Sequence, residues 1–487
     1  LAKALERLDG LEMPLIRVDE RFFKTEDSEN SDPPLAILFK RIGTGGTPLS
    51  DADYVYSVIK HLRPETYDLV ETLHQQTNVA SLLTATDLVM SAVRLAAVTW
   101  EPQDGKPVPD MENPRKRDFH RLLQRGDFIS AKLLPLIQKA EKGVEIAHYF
   151  DEVQVMLCYR GSCDAGLPKQ AFPLLRRPLV QVLLRLAQVG YLKNKEDMAR
   201  RKDVLRLVLF WLVAVTDASK ASHLAYKVIE EKAPTEKCDP NVVLGRAIHD
   251  QLVTEGAAVA LPALEVIKTK PGLVFSPGDT TLLRGESRFD YTKHGEEGHS
   301  SIYHFYRNHW WRPWTYQHPF LLWLQREMVA EKLDPVADPM AGKDEDTPYD
   351  YDHILPYAHW GMWTGVSHGD RLLDSAERQI WVVGNGIGNV RVWASSLNRA
   401  DSDSPPTKKL AGVEKPDELD ENLLKYSAIR ADKIDNWKEA SGNGKPRSWN
   451  SVRAIAFQSA VEERTFYLYE RYYNELGFAE WPYSAVV

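Results

Sequence analysis

Apolar residues recur with the spacing of a helix along most of this chain. From Asp51 to Trp100, Val55, Val58, Ile59 and Leu62 share one face, and Leu82 to Val98 forms a second amphipathic run. Residues 117–232 read as mostly helical, with Leu174 to Leu192 and Asp203 to Val215 as core helices. The longest apolar run, Leu207 to Val215, is too short to cross a bilayer and reads as a buried helix with Arg206 at its edge. Tyr303 to Met328 holds Trp310, Trp311, Trp314 and Trp323, a cluster that predicts core or interface packing rather than base stacking. Arg453 to Phe478 predicts one long amphipathic helix with Phe457, Val461, Phe466, Leu468 and Tyr469 among its apolar positions. Residues 1–10 read as the end of a helix closed by Asp9-Gly10, and Leu35 to Ile42 as a helix-like segment stopped at Gly43. Glu26 to Pro34, Glu101 to Asp110 and Leu333 to Thr347 are polar, Pro- or Gly-bearing breaks. Pro416 to Asn450 is charged and mixed. Two strand-like stretches, one within Tyr349 to Pro356 and one over Val390 to Ala394, interrupt the helical pattern. The fold class this predicts is α+β and predominantly helical.

A length of 487 residues allows two to four domains, and 43 % hydrophobic with 27 % charged residues is ordinary for a globular protein. The net charge of −8 means that contact with nucleic acid would need local basic patches. Candidates are Asn113-Pro114-Arg115-Lys116-Arg117, Leu175-Arg176-Arg177 and Ala199-Arg200-Arg201-Lys202. Cys158, Cys163 and Cys238 cannot all pair and fit no standard zinc spacing, which points to a reducing cytoplasm. No signal peptide and no membrane span is visible, and the chain opens on Leu1 rather than Met, as expected of a fragment.

The densest chemistry lies in Tyr349-Asp350-Tyr351-Asp352-His353-Ile354-Leu355-Pro356, with Ile387-Gly388-Asn389-Val390-Arg391-Val392-Trp393 and Asn398 downstream. Asp352 is a hard oxygen ligand for a Mg²⁺-like ion. His353, next to it on a strand, faces the other way and can take a proton from water at neutral pH. Pro356 ends the ladder, and Asn398, from the helix that starts at Ser395, offers a second, neutral oxygen. The bland alternative for an Asp-His pair is a polar surface turn. Here the apolar pair, the proline, the second strand and the helix start favour the catalytic reading. His359 and His368, between the two strands, read as loop histidines.

Phe39-Lys40-Arg41-Ile42-Gly43-Thr44-Gly45-Gly46-Thr47-Pro48-Leu49-Ser50 is the second stretch with chemical content. Adjacent glycines allow close backbone approach, and amide groups, Thr44, Thr47 and Arg41 are able to hold an anion. It is not a P-loop, and the plain reading is a turn whose Ser50 caps the next helix, with Asp53 in the capping-box position.

These two motifs, in this order, resemble the DUF262–DUF1524 fusion family, which includes GmrSD-type modification-dependent restriction endonucleases and phosphorothioation-sensing SspE-like nucleases. The likeness runs over most of the chain and includes His318-Pro319-Phe320 and Leu322 to Arg326 as the lead-in to the nuclease. It implies a ParB/sulfiredoxin-like N-terminal domain that hydrolyses nucleoside triphosphate, GTP or another, lining it with Arg41, Thr44, Gly45, Gly46 and Thr47. It implies a ββα-metal HNH domain in which His353 is the general base, Asn389 supports it, and Asp352 and Asn398 bind Mg²⁺ or Mn²⁺. The domains would then be 1–110 (DUF262-like, lacking its start), 111–332 (helical middle region), 333–415 (HNH) and 416–487 (C-terminal helical extension). The family's Asp-Gly-Gln-Gln-Arg signature is not in this chain and would sit before Leu1. Gly43 replaces an Asn, and Asp401 replaces a Lys that would attract phosphate, a loss Lys408 and Lys409 would offset.

The function expected is a cytoplasmic, NTP-linked, metal-dependent HNH endonuclease that nicks or cuts foreign or modified DNA in anti-phage defence. No membrane is implied, and a homodimer is compatible with it. The rivals are a DNA-modification sensor with a degenerate nuclease site, for which Asp401 speaks, and an RNA-cleaving HNH toxin, since such contacts are to phosphates.

Overall fold

Capping chemistry fixes where the predicted helices begin. The computed structural model describes residues 50–102, 104–140, 143–161, 164–233, 239, 242–268, 310, 319–333, 349–360, 384–412, 418–444 and 451–481. Arg41, Thr44, Gly45, Gly46, Thr47, Trp311, Trp314 and His368 lie outside them, so the expected nucleotide loop and the first 49 residues of the expected N-terminal domain fall outside the described residues.

Helix α1 (Asp51–Leu62) starts at Ser50, whose hydroxyl accepts from the Asp53 N–H at 3.2 Å and donates to the Asp53 carboxylate at 2.6 Å. Ser50 is thus the cap the sequence predicts. After α2 (Glu65–His74), the same device opens α3 (Ala85–Val98), where Thr84 caps the Asp87 N–H. Helix α3 is apolar nearly all round and is buried from Leu88 to Ala97. Its one cation, Arg94, is answered by Asp110 at 2.7 and 2.6 Å, by Gln181 and Ser222, and lies 3.6 Å over the Tyr226 ring.

Helices α4 (Lys116–Leu123), α5 (Glu145–Leu157), α6 (Arg177–Gln188), α7 (Met198–Ala214), α8 (Ala218–Lys232) and α9 (Leu244–Thr254) complete a helical body. A two-residue ladder, β1 (Lys139–Ala140) with β2 (Gly143–Val144), precedes α5. Helix α7 is the centre of this body and carries its ionic groups inward. Asp203 accepts the Gly245 and Arg246 N–H groups at 2.6 and 3.1 Å, so a carboxylate from α7 caps the positive end of α9. Arg201 is ion-paired with Asp164, and Arg206 with Glu480. Arg206 is therefore buried structure rather than a helix edge.

Two of the three predicted basic patches are partly spent in this way. In the third predicted patch Arg201 and Lys202 face Asp164 and Glu480, and in the second Arg177 pairs with Asp87. Arg115, Arg117 and, one turn further, Arg121 stay exposed around the start of α4.

The C-terminal part docks on this body. Helices α10 (Pro319–Leu324) and α11 (Arg326–Lys332) bring the Trp323 indole N–H to the Ala165 carbonyl at 2.8 Å and the Arg326 guanidinium to Asp164 O and Glu475. Then come β3 (Tyr349–His353), α12 (Tyr357–Trp360), β4 (Val390–Ala394), α13 (Ser395–Asp401), α14 (Pro406–Lys409), α15 (Glu421–Tyr426) and α16 (Ile434–Ser441). The long α17 (Ser451–Leu476) closes the fold two residues from its predicted limits. Trp310 and Trp323 are core, as the aromatic spacing predicts. Trp310 packs against Phe320, Tyr469 and Tyr472 with ring centroids 4.7, 5.0 and 5.3 Å apart. The architecture is α+β and predominantly helical, and among the described residues no helix is long and apolar enough to cross a membrane.

Burial of His249 gives the fold a pH dependence. Its ring lies 4.5 Å from Phe210 and 5.1 Å from Trp481, and burial lowers its pKa despite the bond to Asp250. A histidine with a folded pKa below its unfolded value is most stabilising above the unfolded value of about 6.5 and loses that contribution as pH falls. Urea melts between about pH 7 and 5 are expected to lose stability on acidification, with a shallower slope in His249→Gln. Equal slopes in the two proteins would place the pH dependence elsewhere.

Candidate functional site: a buried strand pair and its ion cluster

β3 and β4 pair antiparallel, with Asp350 opposite Trp393, Asp352 opposite Arg391 and His353 opposite Val390. α13 follows β4 without a break, giving the order strand, strand, helix. Two strands alone are marginal in water, so the pair must be held from outside. Gln325 does this at the free side of β4. Its amide oxygen accepts the Val392 N–H at 2.6 Å, and its amide nitrogen donates to Val392 O at 3.0 Å, as a third strand would. Arg464 of α17 does it at the turn. One guanidinium nitrogen donates to the carbonyls of Ile387, Gly388 and Val390 at 2.9 Å each, and Nε donates to Ser427 O at 2.9 Å. Burial without a carboxylate pushes the Arg464 pKa down to about 9. Close approach needs Gly388: a Cβ there would lie 2.1 Å from Val461 O and 2.3 Å from Thr465 Oγ1.

His353 lies against Trp360, with rings 5.5 Å apart, and its Nε2 meets Asn385 Oδ1 at 2.8 Å. With the amide so oriented, Nε2 carries the proton and Nδ1 the lone pair. Burial lowers the His353 pKa, against the pull of Asn385 and Asp352, so the ring is neutral at pH 7.

Asn389 has a different task from the one the sequence assigns. It accepts the Leu355 N–H at 2.9 Å and donates to Leu355 O and Gly384 O at 3.1 and 2.8 Å. It thereby locks the two ends of the intervening segment together. The residue in contact with His353 is Asn385, four positions earlier. His359 is also not a loop histidine: it sits on α12, fully buried, with Nε2 at Asp403 O and Nδ1 at Arg453, both 2.8 Å.

The carboxylates divide between two environments. Asp352 is 4 % exposed, and both its oxygens are held: Oδ2 by Arg391 Nε at 2.9 Å and Oδ1 by Lys409 Nζ. Arg391 also reaches Ser427 at 2.8 Å and Asp401 at 3.4 Å, and lies 3.9 Å over Trp393. Lys409 donates to His353 O at 2.8 Å as well, and burial lowers its pKa while Asp352 opposes that shift. Lys409 therefore does not act as a surface replacement for the basic residue missing at Asp401. Asp401 belongs to the same cluster, and burial raises its pKa.

Asn398 meets Asp350 rather than Asp352, donating to its Oδ2 at 3.1 Å. This leaves the Asn398 amide oxygen and Asp350 Oδ1 without a partner among the described residues. A small hard cation is commonly held by one or two carboxylates with substrate oxygens and water completing its shell. Asp350 and Asn398 fit that donor set. Asp352 fits it only if Lys409 lets go.

Sequence reasoning gave no role to Asp350, Asn385, Arg391, Gln325 or Arg464, and gave Lys409 a surface role instead of the buried clamp on Asp352. One signal was available: an arginine inside the otherwise apolar Val390-Arg391-Val392-Trp393-Ala394 announces a buried anionic partner, because an unpaired charge there would be costly.

Gly388→Ala is expected to destabilise the protein by about 1–3 kcal/mol or more through overpacking against α17, read as a lower urea midpoint. Asn389→Asp keeps size but removes the donor to two carbonyls, and about 1–3 kcal/mol of loss is expected for the unmet buried groups. A wild-type melt for Asn389→Asp would show that the lock is not closed in solution.

Compared with family models, with curated proteins and with solved structures, the chain matches none.

Proposed function

We propose that the hairpin is the catalytic site of an HNH-type, metal-dependent endonuclease acting on nucleic-acid phosphodiesters. The observation that carries this reading is a half-buried His353, its pKa lowered by burial, on the same strand as Asp350, whose carboxylate meets Asn398 and leaves hard oxygens without a partner among the described residues. The motif resemblance to the DUF262–DUF1524 fusions extends the proposal. The substrate is foreign or modified DNA, the setting is cytoplasmic defence, and a nucleoside triphosphate acts through residues 1–110, with Arg41 and the Thr44 to Thr47 loop as its contacts. The exposed Arg115, Arg117 and Arg121 support a contact with a polyanion, which needs local positive charge on a chain of net charge −8.

In this mechanism His353 Nδ1 accepts a proton from the attacking water, and Asn385 holds the ring in the tautomer that leaves this nitrogen free. Trp360 fixes the ring plane and shields it from bulk water. A bound Mg²⁺ or Mn²⁺ would stabilise negative charge on the phosphoryl and leaving oxygens. Asp350 and Asn398 would hold it. Arg391 and Lys409 clamp Asp352 and hold the strand in register, and Asp352 would be free to help hold an ion only if released from Lys409.

A second reading has its own support. The double clamp on Asp352 is what a sensor with a disabled nuclease site would carry.

Plasmid cleavage with Mn²⁺ separates the two. His353→Ala is expected to cut about 10²–10⁴-fold more slowly than wild type while folding normally. Asp350→Asn is expected to raise the Mn²⁺ concentration needed for half-maximal cleavage. Asp352→Asn leaves two buried cations facing a neutral group, and a loss of about 3–5 kcal/mol in stability is expected. Wild-type protein that cuts no DNA or RNA at any Mn²⁺ concentration would favour the sensor.

A further inference from the structure

Far from the hairpin in sequence, the helical body holds a buried positive charge with no carboxylate in contact among the described residues. Arg185 of α6 is 5 % exposed, and among the described residues no carboxylate lies within ion-pair distance of it. Among the described residues its side chain makes one hydrogen bond, from a terminal nitrogen to Gln188 Oε1 at 2.7 Å, and its Nε is buried with no acceptor. The other buried arginines of the body are answered: Arg94 by Asp110 and Arg201 by Asp164. Burial depresses the Arg185 pKa, with only more distant groups opposing it. A guanidinium removed from water without an anion is a costly arrangement, which persists where something else repays it.

Arg185 lines a cleft of about 500 Å³ between the end of α3, the segment after Ile129 and the start of α5. Its size is that of a small-molecule site rather than of a single water. One wall is apolar, formed by Trp100, Pro135 and Leu136, and Trp100 is braced from behind by Phe128 at 5.2 Å. Lys132 reaches the same cleft, while Glu101 and Glu145 stand exposed on its rim. The positive group is thus buried and the negative groups are at the mouth.

We propose that this cleft binds a small anionic ligand with a flat apolar body, its carboxylate or phosphate head on Arg185 and Lys132. Trp100 and Leu136 cover the body of the ligand, and Gln188, Glu101 and Glu145 accept from its hydroxyl or amino groups. The proposal does not depend on the nuclease reading.

Calorimetry and thermal melts of the whole chain with three probes test it: inorganic phosphate, adenosine monophosphate and anthranilate. At least one of the two organic anions is expected to bind and to raise the melting temperature more than phosphate does. The arm that responds tells a phosphate head from a carboxylate head. Arg185→Met is expected to melt at or above the wild-type temperature without ligand and to show no ligand-induced rise. Should that variant fail to fold, Ala131→Trp, at an exposed position on the rim of the cleft, is expected to block binding while leaving Arg185 in place. The proposal is overturned if neither organic anion binds wild type, or if Ala131→Trp or a folded Arg185→Met responds as wild type does.

Discussion

The C-terminal half of this protein depends on one buried cation. Arg464 gathers the carbonyls of Ile387, Gly388, Val390 and Ser427 onto a single side chain. Those carbonyls belong to a tight turn, a strand end and the end of α15, backbone groups that are costly to bury unpaired. Satisfying them from α17 lets the strand pair sit in the interior instead of on the surface. It also makes the closing helix part of the candidate site, not a separate extension after residue 415. Gly388 is the steric counterpart of this contact, since any side chain there would push α17 away.

Around that anchor the buried charges are arranged in order. Asp352 faces Arg391 across the ladder and Lys409 from α14, and Asp401 closes the cluster. Such clusters are weak evidence of stability, because desolvation offsets most of the attraction. Their effect here is on register. A slip of β3 by one residue would turn Asp352 away from both cations and bring His353 in its place. The same pairing that keeps His353 beside Asn385 leaves Asp350, two residues before Asp352 and on the same face, to meet Asn398.

Much of this was legible in the sequence, and the failures have physical causes. Helical spacing gave α3, α6, α7 and α17 because each has an apolar face or is apolar throughout, and Ser50 announced α1 through its side chain. The strand pair was legible from Asp352-His353 and from Val390 to Ala394. The partner of each polar residue was not, because it depends on tertiary approach. Asn385 rather than Asn389 reaches His353, Asp350 rather than Asp352 reaches Asn398, and Arg201 turns inward to Asp164 while Lys202 pairs with Glu480. Local sequence shows that a charge exists. Only the packed fold decides whether it meets solvent or a carboxylate.

The central claim is that His353 removes a proton from water during phosphodiester cleavage, and chemical rescue tests it most directly. Single-turnover cleavage of a DNA duplex by His353→Ala would be followed with and without added imidazole. Little cleavage alone and a rate that climbs with the concentration of neutral imidazole are expected, since the small base fills the space the side chain leaves. A variant that cuts as fast as wild type, or one that is slow and indifferent to imidazole, would contradict the account.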